Sequence, residues 1–391
     1  MLSTDTINVI KSTVPLLEEN GQRITDTFYE DLFQQHPFLL NIFNQANQGK
    51  GDQSRALSDA VIAYAKHIDN LEAILPVVQR IAHKHVSLNV KADHYAVVGT
   101  TLLAAIQKVL ALPDAHPALT AWAEAYELLA GVFINAENAL YQEGAEKNGG
   151  WQGFREFYIE RIVAETSEVK SFYLKPLDLL PTPDFSGGQY LGVKSRPSSE
   201  GKYQIRQYSL SQKGDFRITV KAEPNGLVSN YLHACDVNDT LSLQIPSGVF
   251  TLSDQKPKQV FIAGGVGITP MMSMLQEALA KNTPAEDILF IQCSQTPEQQ
   301  IFADELAQMA NDSGFTYLRC FDDSDEGDHQ GFINQSILET WLSHYGFSGQ
   351  NSQVYFCGPK PFMSTLNSIF TQLQFDPKDI HFEVFGPTTA L

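Results

Sequence analysis

The sequence contains few cysteines, no long apolar run and comparatively few basic residues. Its four cysteines form no CxxC pair and show no metal-ligand spacing, which argues against a disulfide framework or a zinc site and favours a reducing compartment. No uninterrupted apolar stretch reaches the roughly 18 residues of a membrane helix, and the first residues lack the basic and apolar regions of a signal peptide. We therefore expect a cytoplasmic protein without a membrane span.

Acidic residues exceed basic residues by a wide margin. The 45 aspartates and glutamates against 27 lysines and arginines give a formal net charge of −18, and the isoelectric point is near 4.9. Such a field repels phosphate groups, so nucleic acid and anionic membranes are not expected as partners. The 391 residues, of which 43% are hydrophobic, have a globular composition. At about 100–200 residues each, two or three domains are expected.

The sequence pattern changes twice along the chain. Up to residue 143, apolar residues recur at helical spacing, which predicts helices at about 22–35, 52–69, 74–86, 92–111 and 117–142. The glycine-rich residues 144–150 predict a linker. Residues 151–255 carry short β runs separated by turn residues, which is typical of an antiparallel barrel or sandwich. In residues 256–391, helices alternate with predicted strands at about 259–263, 287–293, 315–321, 353–357 and 379–385, which predicts a parallel sheet in an α/β domain.

Two histidines lie close together on the predicted helix 74–86. At about 100° per residue, His85 lies on the same face as Val78 and Ile81, whereas His83 lies on the opposite, solvated face. A histidine on an apolar face is either a core residue that hydrogen-bonds a backbone carbonyl or an axial haem ligand, which requires a neutral ring in a dry pocket. The residues alone leave both interpretations open.

Four polar side chains lie on or beside the apolar faces of the predicted helices. Tyr29 flanks the apolar stripe of the first helix, and Gln53 is in register with that of the second, so both can donate hydrogen bonds to bound dioxygen. Tyr95 and Glu137 lie within the stripes of the last two helices. A buried tyrosine is most often an ordinary core residue, but a buried glutamate needs a partner because an unpaired buried charge is costly.

Several short motifs resemble the globin domain of bacterial flavohaemoglobins, and the resemblance extends over the whole chain. The motifs are Thr27-Phe28-Tyr29-Glu30, Asn41-Ile42-Phe43-Asn44, Gly51-Asp52-Gln53, Ala82-His83-Lys84-His85 and Val132-Phe133-Ile134-Asn135. The resemblance implies that His85 is the proximal ligand of haem b and that Tyr29 donates to bound oxygen. It also implies that Gln53 and Leu57 line the distal pocket and that Phe43 packs against the porphyrin.

In the same family, the residues that match Tyr95 and Glu137 join the proximal histidine in a hydrogen-bond network. A carboxylate near His85 makes the imidazole more anionic, which increases the electron density on iron and favours O–O chemistry over simple storage. Lys84 has a suggested tuning role in the family, and a solvated lysine is the alternative interpretation.

The segment Arg206-Gln207-Tyr208-Ser209 resembles the flavin motif of the ferredoxin-reductase superfamily. The resemblance implies that the arginine pairs with an FAD phosphate, that the tyrosine ring stacks against the isoalloxazine, and that the serine hydrogen-bonds near its reactive nitrogen. Further FAD contacts are implied upstream at Tyr190 and in a turn at Gly226, Val228 and Ser229. The alternative is an ordinary strand with an exposed tyrosine.

A glycine loop opens the third domain between a predicted strand and a helix, at Gly265-Val266-Gly267-Ile268-Thr269-Pro270. Glycines let the backbone approach phosphates, and Thr269 and Pro270 suit a helix start. Proline replaces the third glycine of the Rossmann pattern, as in the nicotinamide module of ferredoxin reductases. The same resemblance implies nucleotide contacts at Cys357-Gly358-Pro359 and a flavin-facing tail at Glu383-Val384-Phe385-Gly386-Pro387. Ile268 and Val384 differ from the residues that some family members have there.

The resemblance thus implies an all-α globin domain (1–143), a linker (144–150), an antiparallel β-barrel FAD-binding domain (151–255) and a Rossmann-like α/β NAD(P)-binding domain (256–391). It implies a nitric oxide dioxygenase in which NAD(P)H reduces FAD, FAD reduces haem, and O2 bound there converts NO to nitrate. No obligate protein partner is expected. The alternatives are a haem-based sensor or carrier of O2 or NO, and a ferredoxin-type reductase with an uninvolved helical domain. Residues near Ser294-Gln295 do not distinguish NADH from NADPH.

Overall fold

A computed structural model describes residues 2–43, 51–197 and 201–386 of the chain. They form two compact units, one made mainly of Met1–Phe154 and the other mainly of Arg155–Val193 and Gln207–Phe385. The first unit is helical, and the second contains an antiparallel and a parallel β-sheet. Among the described residues, no helix combines the length and the apolarity that a membrane crossing requires.

The described part of the first unit is built from long helices joined by short turns. They are α1 (Thr4–Gln35), α2 (Asp52–Lys66), α3 (Leu75–Ser87), α4 (Ala92–Leu110) and α5 (Pro117–Glu146), with 3₁₀ turns at Pro37–Asn41 and Leu71–Ile74. The predicted helices are present, but the predicted start of the first one at residue 22 is wrong. Helix α1 begins at Thr4, where the Ser3 hydroxyl accepts a hydrogen bond from the backbone N–H of Thr6 at 3.0 Å.

Apolar periodicity did not predict the first half of α1 because small and polar residues interrupt the apolar pattern of its buried face. The buried positions before residue 22 are Thr6, Ile10, Thr13, Leu17 and Gly21. The Thr13 hydroxyl accepts a hydrogen bond from the Trp122 indole at 3.2 Å, so this polar position is satisfied inside the core. Pro15 also lies within the helix, where it lowers helix propensity. Tertiary packing therefore determines the helix start here.

Helices α1, α2, α4 and α5 surround the core of the first unit. Ile24, Phe28 and Leu32 are fully buried, with Tyr29 and Phe33 partly buried beside them, which confirms the predicted stripe of α1. Helix α1 packs against α2, and α3 packs against α5. These two helix pairs carry the candidate site residues of the unit.

The antiparallel sheet of the second unit closes into a barrel. Its strands are β1 (Arg155–Ala164), β2 (Val169–Pro176), β3 (Tyr190–Ser195), β4 (Gln204–Ser209), β5 (Phe216–Lys221) and β6 (Thr240–Leu243), and the short helix α6 (Leu227–His233) follows β5. The strand order is β4-β3-β6-β1-β2-β5, and a bridge between Leu210 and Ile218 joins the two edges. The predicted antiparallel barrel is therefore confirmed. The pattern did not predict β2, whose buried residues include the polar Ser171.

A parallel sheet with helices between its strands follows the barrel. Its strands are β7 (Lys258–Gly264), β8 (Ile288–Ser294), β9 (Thr316–Phe321), β10 (His329–Gln330), β11 (Ser352–Cys357) and β12 (Ile380–Phe382), and its helices are α7 (Ile268–Ala280), α8 (Ala303–Ser313), α9 (Gln335–His344) and α10 (Lys360–Gln372). The strand order is β10-β9-β8-β7-β11-β12, which confirms the α/β prediction. Because β8 and β11 flank β7, the order in which strands are added to the sheet reverses at β7. Ligands of such sheets bind beyond the carboxyl ends of the strands at this switch point.

Candidate active site

Helix α3 presents His85 at the edge of its buried face. The buried residues of this helix are Val78, Ala82, Val86 and Ser87, so the buried face is rotated relative to the predicted one, which included Ile81. The His85 side chain remains 31% exposed. His83 is half-buried, and burial lowers its pKa, so the prediction of a solvated His83 is wrong. Neither His83 nor His85 is therefore fully exposed to solvent.

Glu137 on α5 holds His85 from one side. Its Oε1 lies 2.6 Å from His85 Nδ1 and accepts a hydrogen bond from the Tyr95 hydroxyl at 2.5 Å, and Tyr95 Oη lies 3.1 Å from the same Nδ1. Glu137 is only 2% exposed. The expectation that a buried Glu137 has partners is confirmed, and the partner of His85 is a carboxylate rather than a backbone carbonyl.

The hydrogen bonds of this cluster determine which atom of His85 is available. A carboxylate accepts only, so the network assigns the proton to Nδ1 and leaves the lone pair on Nε2, the arrangement found in carboxylate–histidine–metal sites. Burial, followed by the hydrogen bond to Glu137, raises the pKa of the Tyr95 hydroxyl, so Tyr95 stays protonated and donates. The cluster can therefore orient the imidazole and increase the electron density that its Nε2 offers to a metal.

Three further residues, which the sequence did not identify as site residues, support Tyr95. The Tyr126 hydroxyl of α5 donates to the backbone carbonyl of Tyr95 at 2.7 Å. A Cβ on Gly99 of α4 would lie 2.3 Å from Cε1 of Tyr126, so this close approach requires glycine. Phe133 adds an aromatic contact, with ring centroids 5.7 Å from His85 and 6.4 Å from Tyr95. Tyr126 and Phe133 share the predicted stripe of Glu137, which is the signal that could have identified them.

An aromatic cluster lies on α1 and the turn that follows it. The Tyr29 ring lies 5.8 Å from Phe33 and 5.8 Å from Phe43, measured between centroids, and Phe33 lies 5.5 Å from Phe43. Burial raises the pKa of the Tyr29 hydroxyl, so the phenol remains a hydrogen-bond donor. Tyr29, Phe43 and Leu57 all pack at the border of the same core. These rings can pack against a planar apolar group and present one hydroxyl to it.

Gln53 on α2 carries a buried polar atom that lacks a partner in the described part of the chain. Its Oε1 is buried without a hydrogen-bond partner among the described residues. Such an atom is costly unless a group outside the protein meets it. Lys84, which was predicted either to tune the haem or to be solvated, is half-buried next to His85.

The predicted flavin residues lie on neighbouring strands of the barrel and on α6. Tyr190 on β3 exchanges backbone hydrogen bonds with Ser247 at 2.8 and 2.9 Å, and β4 pairs with β3. The Arg206 guanidinium donates to the backbone carbonyl of Ile205 at 2.9 Å. The predicted residues Gln207 and Tyr208 that follow on β4 are half-buried, and Ser209 is buried, so Tyr208 is not fully exposed. The turn residues Gly226, Val228 and Ser229 lie at the start of α6.

The predicted nucleotide residues meet at the switch point of the parallel sheet. A Cβ on Gly267 would lie 2.2 Å from the carbonyl oxygen of Cys357 and 2.6 Å from the backbone nitrogen of Gly358, so the two segments touch. Gly265 has a φ of 51°, in the left-handed region that favours glycine. The loop continues into α7 through residues that are buried or, for Val266, partly buried: Val266, Ile268, Thr269 and Pro270. Pro359 caps α10 directly after Cys357 and Gly358.

The carboxyl-terminal tail passes beside the same segment. The Cys357 thiol donates to the backbone carbonyl of Glu383 at 3.3 Å, and Val384 packs against the core cluster that includes Phe356. Phe385 is 48% exposed. Gly386 ends the described residues of the tail, and Pro387 lies outside them. Cys357 therefore lies next to Gly267 of the glycine loop and also contacts the backbone of Glu383.

The close approach at Gly267 predicts that substitution by alanine destabilises the protein more at Gly267 than at Gly265 of the same loop. Gly267→Ala is expected to lower the free energy of unfolding by about 1–3 kcal/mol because its Cβ would overlap the Cys357 carbonyl. Gly265→Ala is the matched control, with no atom within 4 Å of the added Cβ and a backbone cost of about 1 kcal/mol. Urea unfolding of both variants measures the difference. A larger loss in Gly265→Ala would show that the contact with Cys357 does not require glycine.

Three family descriptions match successive parts of the chain. Residues 26–133 match the globin family, residues 162–252 match the oxidoreductase FAD-binding domain, and residues 261–368 match the oxidoreductase NAD-binding domain. Several relatives match over the full length. A flavohemoprotein of Halalkalibacterium halodurans is 42% identical over 409 residues, covering 100% of this chain and 98% of the relative. A flavohemoprotein of Bacillus subtilis is 41% identical, covering 100% and 99%.

Solved structures show the same organisation. The crystal structure of a flavohemoglobin from Malassezia yamatoensis with bound FAD and heme has a TM-score of 0.88 and 29% identity, covering 98% of this chain and 100% of that one. The flavohem-like FAD/NAD-binding domain of a nitric oxide dioxygenase from Vibrio cholerae has a TM-score of 0.54 and 31% identity, covering 60% of this chain and 99% of that one.

Proposed function

This chain belongs to the flavohemoprotein family, and from that membership we propose that it is a nitric oxide dioxygenase, which oxidises NO to nitrate with O2 and electrons from NAD(P)H. The observation that carries the proposal is the cluster of His85, Glu137 and Tyr95. It polarises an imidazole whose Nε2 is available to a metal, and such polarisation favours oxygen chemistry over reversible storage.

The residues of the first unit fit a haem group. The lone pair of His85 Nε2 would bind the iron, and Tyr95 and Glu137 would hold the ring in place. The buried Gln53 Oε1, which lacks a partner among the described residues, and the aromatic Phe43 would also contact such a group. Leu57 would line the pocket, the Tyr29 hydroxyl would donate a hydrogen bond to the oxygen substrate, and Lys84, next to His85, would tune the haem.

The residues of the barrel and of the parallel sheet fit a flavin and a nicotinamide nucleotide. Arg206 would pair with an FAD phosphate, Tyr208 would stack on the flavin ring, and Ser209 would hydrogen-bond its edge. The remaining proposed FAD contacts are Tyr190, Gln207, Gly226, Val228 and Ser229. The glycine loop 265–270 and the segment 357–359 would hold the nucleotide phosphates and nicotinamide, with residues 383–387 facing the flavin. When bound, these groups supply hydride transfer, one-electron transfer and oxygen activation.

The domain boundaries and the cellular location are also part of the proposal. We infer a haem domain at 1–143, a linker at 144–150, an FAD domain at 151–255 and an NAD(P) domain at 256–391. The helical, barrel and parallel-sheet regions support these domains, and helix α5 continues to Glu146, so it includes the first three residues of the proposed linker. Four free cysteines support a reducing cytoplasm. O2, NO and NAD(P)H are the proposed small-molecule partners, without an obligate protein partner.

Consumption of NO by the purified protein tests the function. Protein loaded with haem and FAD is expected to consume NO in the presence of O2 and NADH, with nitrate as the product. Omission of NADH is expected to stop turnover after the reduced protein is exhausted. A sensor or carrier would bind NO or O2 with a spectral change but would not oxidise NADH in proportion to NO, and that outcome would contradict the proposal.

The carboxylate of Glu137 predicts a specific loss of activity. Glu137→Gln keeps the size of the side chain but removes the charge that polarises His85, so NO consumption is expected to fall about 10–100-fold with haem retained. Resonance Raman spectroscopy of the reduced protein is expected to show a weaker iron–histidine stretch. Glu143→Gln is the matched control, because this exposed carboxylate on the same helix pairs with Lys147 at 3.2 Å. An unchanged stretch in Glu137→Gln would remove Glu137 from the mechanism.

A further inference from the structure

Strands β8 and β9 carry one cysteine each, and the sheet register places them opposite each other. Cys293 on β8 pairs with Cys320 on β9 in the parallel ladder. Neighbouring strands lie about 4.7–4.9 Å apart, which is within the range of about 4.4–6.8 Å that a disulfide spans between Cα atoms. The backbone positions of this pair therefore permit a disulfide without strand separation.

The two thiols also lie on the same face of the sheet. Cys320 belongs to the core that includes Ile291 and Leu318, and Cys293 packs against that core. Register partners in a parallel pair project to the same side, so the side chains of Cys293 and Cys320 are neighbours on this face of the sheet. Their register and their shared face therefore allow the two sulfur atoms to approach each other.

The four cysteines differ in their access to solvent. Cys293 is half-buried, whereas Cys235, Cys320 and Cys357 are buried, with exposures of 7%, 2% and 0%. A small oxidant therefore reaches Cys293 first, and Cys320 is the neighbour that can react next. The hydrogen bond from Cys320, followed by burial, raises the pKa of the Cys293 thiol, so it reacts slowly at neutral pH and a long incubation is needed.

We propose that Cys293 and Cys320 form a dithiol site that hydrogen peroxide oxidises to a reversible intramolecular disulfide, and that this disulfide weakens nucleotide binding. Cys293 sulfur attacks the peroxide oxygen and becomes a sulfenic acid, releasing one water. Cys320 sulfur then attacks the sulfenic sulfur, the S–S bond forms, and a second water leaves. The two thiols lose two electrons and two protons, and one peroxide is reduced to two waters.

The link to nucleotide binding follows from the position of Cys293, and this link depends on the proposed function. The register partner of Cys293 on its other side is Gly264 of β7, which leads directly into the loop at Gly265. Beyond Cys293, the pairing of β8 with β9 continues, because Asp322 N donates to Ser294 O at 3.1 Å. An S–S bond brings the two sulfur atoms closer than non-bonded atoms can lie, so it shifts the side chain of Cys293 on the strand beside the phosphate-binding loop.

Peptide mapping of the full-length protein, loaded with haem and FAD, tests the disulfide. After incubation with hydrogen peroxide and its removal by catalase, two alkylatable thiols should be lost and should return with dithiothreitol. Non-reducing digestion should yield one cross-linked species containing Cys293 and Cys320. Cys235→Ser should behave as wild type, whereas Cys320→Ser should leave Cys293 as a sulfenic acid that dimedone traps. If Cys320→Ser does not fold, Cys320→Ala replaces it. Absence of the cross-linked species in wild type would overturn the proposal.

The kinetic test uses NADH with ferricyanide as electron acceptor, a reaction that does not require the haem. Oxidation is expected to raise KM for NADH at least about threefold with kcat little changed, and dithiothreitol should reverse the change. The same treatment should leave KM of Cys320→Ser unchanged. An equal KM before and after disulfide formation would overturn the effect on nucleotide binding. Failure of the untreated protein to reduce ferricyanide with NADH would instead contradict the proposed function, while the mapping would stand.

Discussion

Replacing His85 with alanine is expected to abolish stable haem binding and to reduce NO consumption more than about a hundredfold. The reason is that Glu137 and Tyr95 hold the Nδ1 side of the ring and leave the lone pair of Nε2 available, so we propose Nε2 as the atom that binds the haem iron. The Soret absorbance relative to protein absorbance measures haem content. FAD content and ferricyanide reduction with NADH should remain near wild type, because these depend on the second unit.

His83→Ala is the control for this experiment. The two histidines are two residues apart on one helix, and His83 is half-buried with a pKa lowered by burial, so it is not an inert surface residue. Its removal is expected to reduce stability slightly and to leave the Soret band in place. Equal haem loss in both variants would show that disruption of α3, rather than loss of the ligand, explains the first result.

Tyr29→Phe is expected to increase the rate at which dioxygen leaves the reduced, haem-loaded protein. The change removes one hydrogen bond to a partly anionic ligand, worth about 1.5–3 kcal/mol, which corresponds to a rate increase of about 10–100-fold. The phenol is in its donating form because burial raises its pKa. Flash photolysis or stopped-flow mixing measures the rate, and haem content should not change since the ring and its contacts with Phe33 and Phe43 remain.

Tyr64→Phe provides a matched control for Tyr29→Phe. Tyr64 is also buried in the first unit, and its hydroxyl donates to the backbone carbonyl of Ala125 at 2.7 Å. Its loss should lower the unfolding temperature but should not change the release of dioxygen. An unchanged rate in Tyr29→Phe, or an equal increase in Tyr64→Phe, would rule out a direct role of the Tyr29 hydroxyl.

The sequence predicted the architecture well where a segment's own pattern determines its structure. The alternation of strands and helices after residue 256 and the turn-rich β region before it both correspond to the observed sheets. The prediction was wrong where contacts with residues distant in the sequence determine the bounds of an element. Helix α1 extends back to Thr4 because Trp122 satisfies a threonine in its buried face, and helical periodicity cannot include that contact.

The candidate site shows the same division. The sequence indicated that Glu137 lies in an apolar stripe, and the structure identifies His85 and Tyr95 as its partners. It could not predict the support that Tyr126 gives to Tyr95, because that contact depends on how closely two helices cross. Nor could the sequence separation of Cys293 and Cys320 predict that they are paired across neighbouring strands, since the register of the sheet determines this pairing.

The absence of a side chain at Gly99 connects the packing of two helices to the hydrogen bonds around His85. With no Cβ at that position, Tyr126 lies against α4 and holds the backbone of Tyr95, which in turn contacts the same carboxylate oxygen as His85. Natural selection can therefore adjust the reactivity of the iron through the spacing of two helices. A descendant could keep the ligand, the carboxylate and the phenol unchanged and still acquire a different affinity for oxygen.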